Sequence, residues 1–368
     1  MKTLRKLFYG EVVTAVALVT LGFIALFYFF DFVEELQGVG RYAAVGYRIP
    51  QAMMFVGLMI PSHVYELFPI TVLIGTIFVM ARFAQSSEFT ILRTSGLGPW
   101  RALRTLVILG AGFAALTFAI GDYLAPLGDR TAQVLKSQFQ GRMTVGKTGA
   151  WLKEKQAYGS YSVNVSALTP DGNMKDVRIF EFDNQGMLVS LTQAAVARFG
   201  EHDDWQLEKV DRTEFTNLDA QGNRVDRVRT DTFRWPTQVS AEMVAAAVLR
   251  PERMGTIDLF QYIQHLNANG QSAQKYEVQF WKKVFYPLSC VVMVVLALPF
   301  AYLHFRSGSI ASYVFGGVMA GISFVLLNNI LGDLGTLRGW QPWLTAALPG
   351  FIYSLISLSA FSWLVLRR

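Results

Sequence analysis

The sequence has 368 residues, of which 52% are hydrophobic and only 16% charged, with a net charge of +6 at pH 7. A soluble globular chain carries about a quarter charged residues; here the missing charge is absent from runs about as long as a bilayer core is thick, so the chain is not simply a soluble globular protein. Its single cysteine, Cys290, rules out a disulfide framework or Cys-based metal site within one chain, and His63, His202, His265 and His304 share no ligand spacing.

Val12 to Phe30 is an apolar run of 19 residues preceded by Lys2, Arg5 and Lys6. A signal peptide has an apolar core of about 7 to 15 residues and a small-residue cleavage site. This run is longer, and Phe-Tyr-Phe-Phe-Asp-Phe stands where a cut would fall, so it reads as an uncleaved first span. Leu67 to Ala84 and Leu106 to Ala125 give the second and third spans. Ile49 to Ile60 is also apolar, which leaves the start of the second span open between Pro50 and Pro61.

Between the second and third spans, Arg82 to Gly96 reads as a short helix. Ser86 is placed to cap its start, Glu88 sits in the first turn, Arg93 in the last, and Gly96 after it. Phe89 and Leu92 share one face. Such a helix is either a tight connection between spans or a docking element whose apolar face a partner covers.

Pro126 to Lys283 changes in texture. Tyr161 to Leu168, Asp176 to Phe182, Trp205 to Val210 and Arg224 to Arg229 alternate apolar with polar, the period of half-buried strands. Pro170-Asp-Gly-Asn173, Asn184-Gln-Gly186 and Gln221-Gly-Asn223 supply turns between them. The spacing predicts an antiparallel sandwich, barrel or jelly roll over roughly Trp151 to Trp235, with helical texture returning from Thr256 to Phe280. Ahead of the strands, Gly141-Arg-Met-Thr-Val-Gly146-Lys147-Thr148 matches the phosphate loop G-x-x-x-x-G-K-[ST] letter for letter. A working phosphate loop needs a strand before it and a helix after it. Helical composition precedes this one and strand-like sequence follows, so it reads as the end of a helix and the start of the β domain.

Val284 to Phe305, Ile310 to Leu331 and Trp343 to Leu366 complete six spans, three on either side of the β domain. In the fifth, Gly317 and Gly321 form G-x-x-x-G, which lets helices approach closely within or between chains. Asn328, Asn329 and Asp333 near its end suit interhelical hydrogen bonds. Ten basic residues (Lys2, Arg5, Lys6, Arg82, Arg93, Arg101, Arg104, Arg306, Arg367 and Arg368) fall on one side of this arrangement, accompanied only by Glu11 and Glu88. The positive side predicts cytoplasmic termini and an external β domain. The basic balance thus follows from topology rather than nucleic-acid binding. No Ser/His/Asp, Cys/His or intramembrane acid pair suggests catalysis.

Glu66-Leu-Phe-Pro69, Ser87-Glu88 to Ser95-Gly96, Tyr123-Leu-Ala-Pro126, Tyr276 to Ser289 and Gly321-Ile-Ser-Phe324 resemble, in order and spacing, the LptF/LptG permeases of the lipopolysaccharide export ABC transporter, and the LptG branch more than the LptF branch. The resemblance covers nearly the whole chain. It implies a 3+3 span fold with a periplasmic β-jellyroll, in the domain order 1–125, 126–283 and 284–368, in a multi-pass protein of the bacterial inner membrane. It further implies an LptF-like second permease, an LptB-like ATPase dimer holding the ATP and Mg that this chain does not bind, an LptC-like jellyroll acceptor, and lipopolysaccharide as cargo. The helix of about 85–96 would dock in the ATPase through Glu88, with Ser87, Phe89, Leu92 and Arg93 around it. Spans one and five would line lateral gates, with Phe30 on the first and Gly317, Gly321 and Phe324 on the fifth. Family lysines outside the first span are replaced here by Asp31, Glu34 and Glu35, leaving Arg41, Arg48 and Arg338 as candidates for lipid phosphates. A receptor whose external β domain senses a ligand is the rival, but its cytoplasmic loops are too short for an output domain. An enzyme using Gly141 to Thr148 would need that loop in the cytoplasm.

Overall fold

The computed structural model describes residues 2–86, 98–140, 150–156, 158–169, 172–200, 204–218, 222–237, 239, 243–244, 251–302 and 310–366. They form two compact units, one of Met1–Gln37, Val56–Asp129 and Glu277–Arg368, the other of Gly38–Phe55 and Arg130–Tyr276.

Six helical segments are long and apolar enough to cross a membrane. The first is α1 (Lys2–Tyr42), and the second is α2 (Ile49–Gln85). The third runs through α3 (Pro99–Ala119), a wide π-helical turn (Ile120–Leu124) and α4 (Ala125–Gln140). After the strands come α5 (Thr256–Ala268), α6 (Gln274–Phe285) and α7 (Ser289–Ala297), then α8 (Ile310–Arg338) and α9 (Pro342–Leu366). The first three spans outrun their apolar runs. With 41 residues, α1 is about 60 Å long against a hydrocarbon core of about 30 Å. The question left by Pro50 and Pro61 is answered by one helix. Pro50 sits in its first turn, where the missing N–H costs nothing, and both Pro61 and Pro69 lie inside it. The fourth span is α6 and α7, joined by a 3₁₀ turn at Tyr286–Leu288 that contains Pro287.

The core of the membrane unit is built on α2. Gly75 faces Val16 of α1 so closely that a Cβ would lie 2.8 Å from its backbone, and the Thr20 hydroxyl of α1 donates to Val16 O at 2.7 Å with its oxygen 2.9 Å from Thr71 Oγ1. At one end, Arg82 pairs with Glu11 at 2.6 Å, Phe8 packs on Phe83, the Tyr9 hydroxyl donates to Thr105 O, and Trp100 meets Phe361. The starts of α1 and α3 and the ends of α2 and α9 therefore share one end of the unit, as six alternating spans with both termini on one side require.

The second unit carries one six-stranded antiparallel sheet whose strands pair in chain order. These are β1 (Ala150–Gln156), β2 (Gly159–Leu168), β3 (Met174–Phe182), β4 (Leu188–Phe199), β5 (Trp205–Leu218) and β6 (Gly222–Trp235). Register aligns Leu152 with Val163, Val163 with Ile179 and Ile179 with Thr192 on the buried side. Part-way along, the pairing skips one row, Ser166, Asp176, Ala195, Lys209 and Asp231, and two of these have left-handed φ, Asp176 at 50° and Lys209 at 53°. At this row the buried side changes parity: Met174 and Val177, Ala194 and Ala197, and Leu207 and Val210 all turn inward. The sheet thus turns a corner and keeps one apolar interior, the form the expected antiparallel β domain takes. Trp205 closes that interior, fully buried, with its Nε1–H donating to Val239 O at 2.8 Å. A side chain of that class stabilises the fold by about 1.5 to 3 kcal/mol through burial alone.

Of the predicted turns, Asn184-Gln-Gly186 falls between β3 and β4 as expected, Gly172 and Asn173 lie between β2 and β3, and Gly222 and Asn223 instead begin β6 by pairing with Leu218 and Asn217; β1 and β4 complete a sheet of which sequence alternation marked only four strands. The phosphate-loop residues Gly141 to Thr148 lie outside the described residues. Their flanks are helix α4 before and strand β1 after, the reverse of the strand-then-helix order that nucleotide binding needs.

Candidate functional site

The fifth span, α8, has two faces. Its buried face is lined by Gly317, Gly321, Phe324, Gly332 and Gly335, spaced by whole helical turns. A Cβ on Gly317 would lie 2.6 Å from Ile77 Cδ1, and one on Gly321 would lie 2.9 Å from Ile70 Cγ2, so the small residues bring α8 against α2 within the same chain. Phe324, 2% exposed, meets Tyr353 edge-on at 5.2 Å and Tyr286 at 6.4 Å. Ser323 and Tyr353 share a 2.5 Å hydrogen bond. The opposite face of α8 displays Phe315, Met319, Ile322, Leu326 and Ile330. Near its end Asn328 is half-buried, while Asn329 and Asp333 are exposed.

The first span is arranged in the same way on its own contact with α2. Val12, Ala15 and Val16 are buried, while Leu18, Leu21, Phe29 and Phe30 are exposed. Only 22% of the most apolar window of span one and 17% of that of span five is buried, against 78% for α2. Two helices packed on α2 therefore present uncovered apolar faces. Gly317, Gly321 and Phe324 meet in one seam, whereas Phe30 stands on the exposed face of α1 against Phe29.

At the other end of α1 and α2, His63 Nε2 and Asp31 Oδ2 are 2.5 Å apart, with the Phe27 ring against the imidazole. Beside them Ser62 donates to Asp129 at 2.9 Å. Asp31 is therefore engaged in joining two spans. Arg41, Arg48 and Arg338 are all exposed.

The coupling candidates Ser87, Glu88, Phe89, Leu92 and Arg93, with the capping glycine Gly96, lie outside the described residues. Their approach is described: α2 ends at Gln85, and Ser86, assigned to capping from the sequence, uses its hydroxyl to donate to Arg82 O at 3.1 Å. On the far side Gly98 precedes α3, with Pro99 in its first turn.

At one edge of the β domain a half-buried polar cluster borders the apolar interior. The Glu181 carboxylate accepts from Ser190 at 2.6 Å, Tyr161 at 3.2 Å and Arg212 at 3.3 Å. Burial first, and then the Glu181 charge, raise the Tyr161 hydroxyl above its usual pKa. No alternation pattern reveals this cluster, because its members look like ordinary polar faces in sequence. Among the described residues no group of three or more His, Cys, Asp or Glu is placed to hold a metal ion.

Residues 6–367 match the family described as Lipopolysaccharide export system permease LptF/LptG. The chain is 30% identical over 342 residues to the Lipopolysaccharide export system permease protein LptG of Escherichia coli strain K12, covering 92% of this chain and 90% of that protein. It is 28% identical over 343 residues to the protein of the same name from Haemophilus influenzae, with the same coverage.

Proposed function

The chain belongs to the lipopolysaccharide export system permease LptF/LptG family, and from that premise we propose that it forms half of a membrane cavity that takes lipopolysaccharide from the outer leaflet of the inner membrane. It is a multi-pass inner-membrane permease subunit, and on this reading ATP is hydrolysed in a separate subunit. The observation that carries the reading is the pair of uncovered apolar faces on spans one and five, both packed on α2. A second, LptF-like permease opposite them closes the cavity, and the lipid enters along those two helices. An LptB-like ATPase dimer supplies ATP and Mg and engages the segment around Glu88. An LptC-like jellyroll receives the lipid. The exposed Arg41, Arg48 and Arg338 are offered to lipid phosphates, and the chain is proposed to need no cofactor of its own.

Solubilisation followed by purification through this chain is expected to bring down one further permease, an ATPase dimer and lipopolysaccharide, and the reconstituted complex is expected to release lipid only with ATP. Recovery of an active complex holding this chain as its sole permease would remove the half-cavity reading.

Orientation follows from charge: the ten basic residues named above mark the cytoplasmic side. Cysteines introduced at Gly186, in the turn before β4, and at Gln85, at the end of α2, are expected to label from opposite sides of intact membranes. Labelling of both by an impermeant reagent from the periplasm would contradict the orientation.

A further inference from the structure

The third span holds a wide turn that the packing argument above leaves unused. A π-helical turn accommodates one residue more than an α-helical one, so everything beyond Ile120–Leu124 is rotated by about 100° relative to an unbroken α-helix, and carbonyl groups leave the regular ladder. Gly121 lies inside this turn, and a Cβ there would fall within the ring of Tyr65 on α2. The widened backbone and the tyrosine interlock, with only glycine able to make that approach.

Lys283 of α6 enters the same place. Its Nζ donates to Gly121 O at 3.0 Å and lies 5.9 Å over the Tyr65 ring, and the residue is only 7% exposed. Tyr65 in turn packs on Tyr286 at 5.2 Å, and the Tyr286 hydroxyl donates to Glu66 O at 2.5 Å. Spans two, three and four thus meet around the Lys283 ammonium and the Gly121 carbonyl. Volume alone does not require a cation here, since an apolar side chain of similar size is often neutral or stabilising in place of a buried charge. Lys283 stands just ahead of the apolar run of the fourth span, where its buried ammonium acts on the backbone of the third. The neighbouring Lys282 places its Nζ against Gly332, so the end of α6 also reaches the buried glycine face of α8.

We propose that the π-helical turn at Ile120–Leu124 and Lys283 form a two-state joint in the transport cycle. While Lys283 holds the Gly121 carbonyl, the turn stays wide. When that bond is released, the turn closes to α geometry and α4 rotates about its own axis. Lys283 is a positioning residue: it acts on the helix and not on the lipid. The inference rests on the permease reading, because the cycle supplies the two states.

Spin labels at Leu116 and Leu127, both exposed and on either side of the turn, report the rotation by dipolar EPR in the assembled complex. The wild-type pair is expected to change separation between the nucleotide-free and ATP-trapped complexes. Lys283→Met is expected to fix one separation in both states and to lower lipid release at least tenfold, while Lys283→Arg restores both the change and the release. A wild-type separation that stays constant through the cycle would overturn the joint, and so would Lys283→Met with normal release. If the methionine variant fails to assemble, the wild-type pair still decides. A separation that changes in a complex releasing no lipopolysaccharide would count against the permease reading and leave the joint standing; constant separation with normal release would do the reverse.

Discussion

Gly321→Leu is expected to reduce lipid release to less than a tenth of the unmodified complex while the ATPase remains bound. The Cβ alone would lie 2.9 Å from Ile70 Cγ2, and leucine adds three further carbons to a seam that has no room for the first. Forcing extra methylene groups into a packed interior typically costs about 1 to 3 kcal/mol, here met by displacing α8 from α2. The neighbouring Gly316 is the control: nothing lies within 4 Å of its Cβ position, so Gly316→Leu should export normally. Lipid release and ATPase co-purification, measured for both variants, separate a local seam from general damage to the helix. Normal export by Gly321→Leu would mean that transport does not depend on the close approach.

Glu88→Ala is expected to lose the ATPase or to uncouple hydrolysis from lipid release. In the docking helix expected from the sequence, a carboxylate in the first turn would favour its own helix dipole and could accept charge-assisted hydrogen bonds from a basic side chain of the partner. Loss of the dipole contribution alone costs about 0.3 to 1 kcal/mol. Truncating a buried interfacial charge costs about 2 to 5 kcal/mol. Only the larger loss separates the subunits, so Ser87→Ala should be mild. If pull-down and lipid extraction by Glu88→Ala match the unmodified complex, the segment is a connection between spans and nothing more.

The existence of the spans was legible because lipid demands about 20 apolar residues in a row. Their ends were not, because a helix needs no apolar run once it leaves hydrocarbon. Pro126 to Gln140 carries Asp129, Arg130 and Lys136 yet continues the third span in α4. The sheet shows a comparable limit. In β4 the side chains turned inward are Ser190, Thr192, Ala194 and Ala197, small or polar residues that make no hydrophobic alternation. In β1 the third inward position is Glu154, buried at 2%. The row at which the sheet turns its corner disrupts the period further, since parity changes within β3, β4 and β5. Of the site, the Gly317 and Gly321 seam could be read from spacing, because close approach needs small residues four apart. The engagement of Lys283 with Gly121 could not, since a widened helical turn carries no residue pattern and its partner lies 162 positions away.

If a second permease seats against the uncovered faces of α1 and α8, as proposed, the surrounding lipid bears on how that seam would open and reclose. In water, separating two apolar helix faces would incur the full hydrophobic penalty. In a bilayer the acyl chains solvate leucine and phenylalanine about as well as another helix does, so the free energy of such a contact comes mainly from fit. Lipid is therefore a competing solvent for Leu18, Leu21, Phe315 and Met319, not merely a barrier around them. On that reading a modest change in fit at these faces would shift the balance between protein and lipid contact, and would let a lipid-sized molecule enter sideways without unfolding anything.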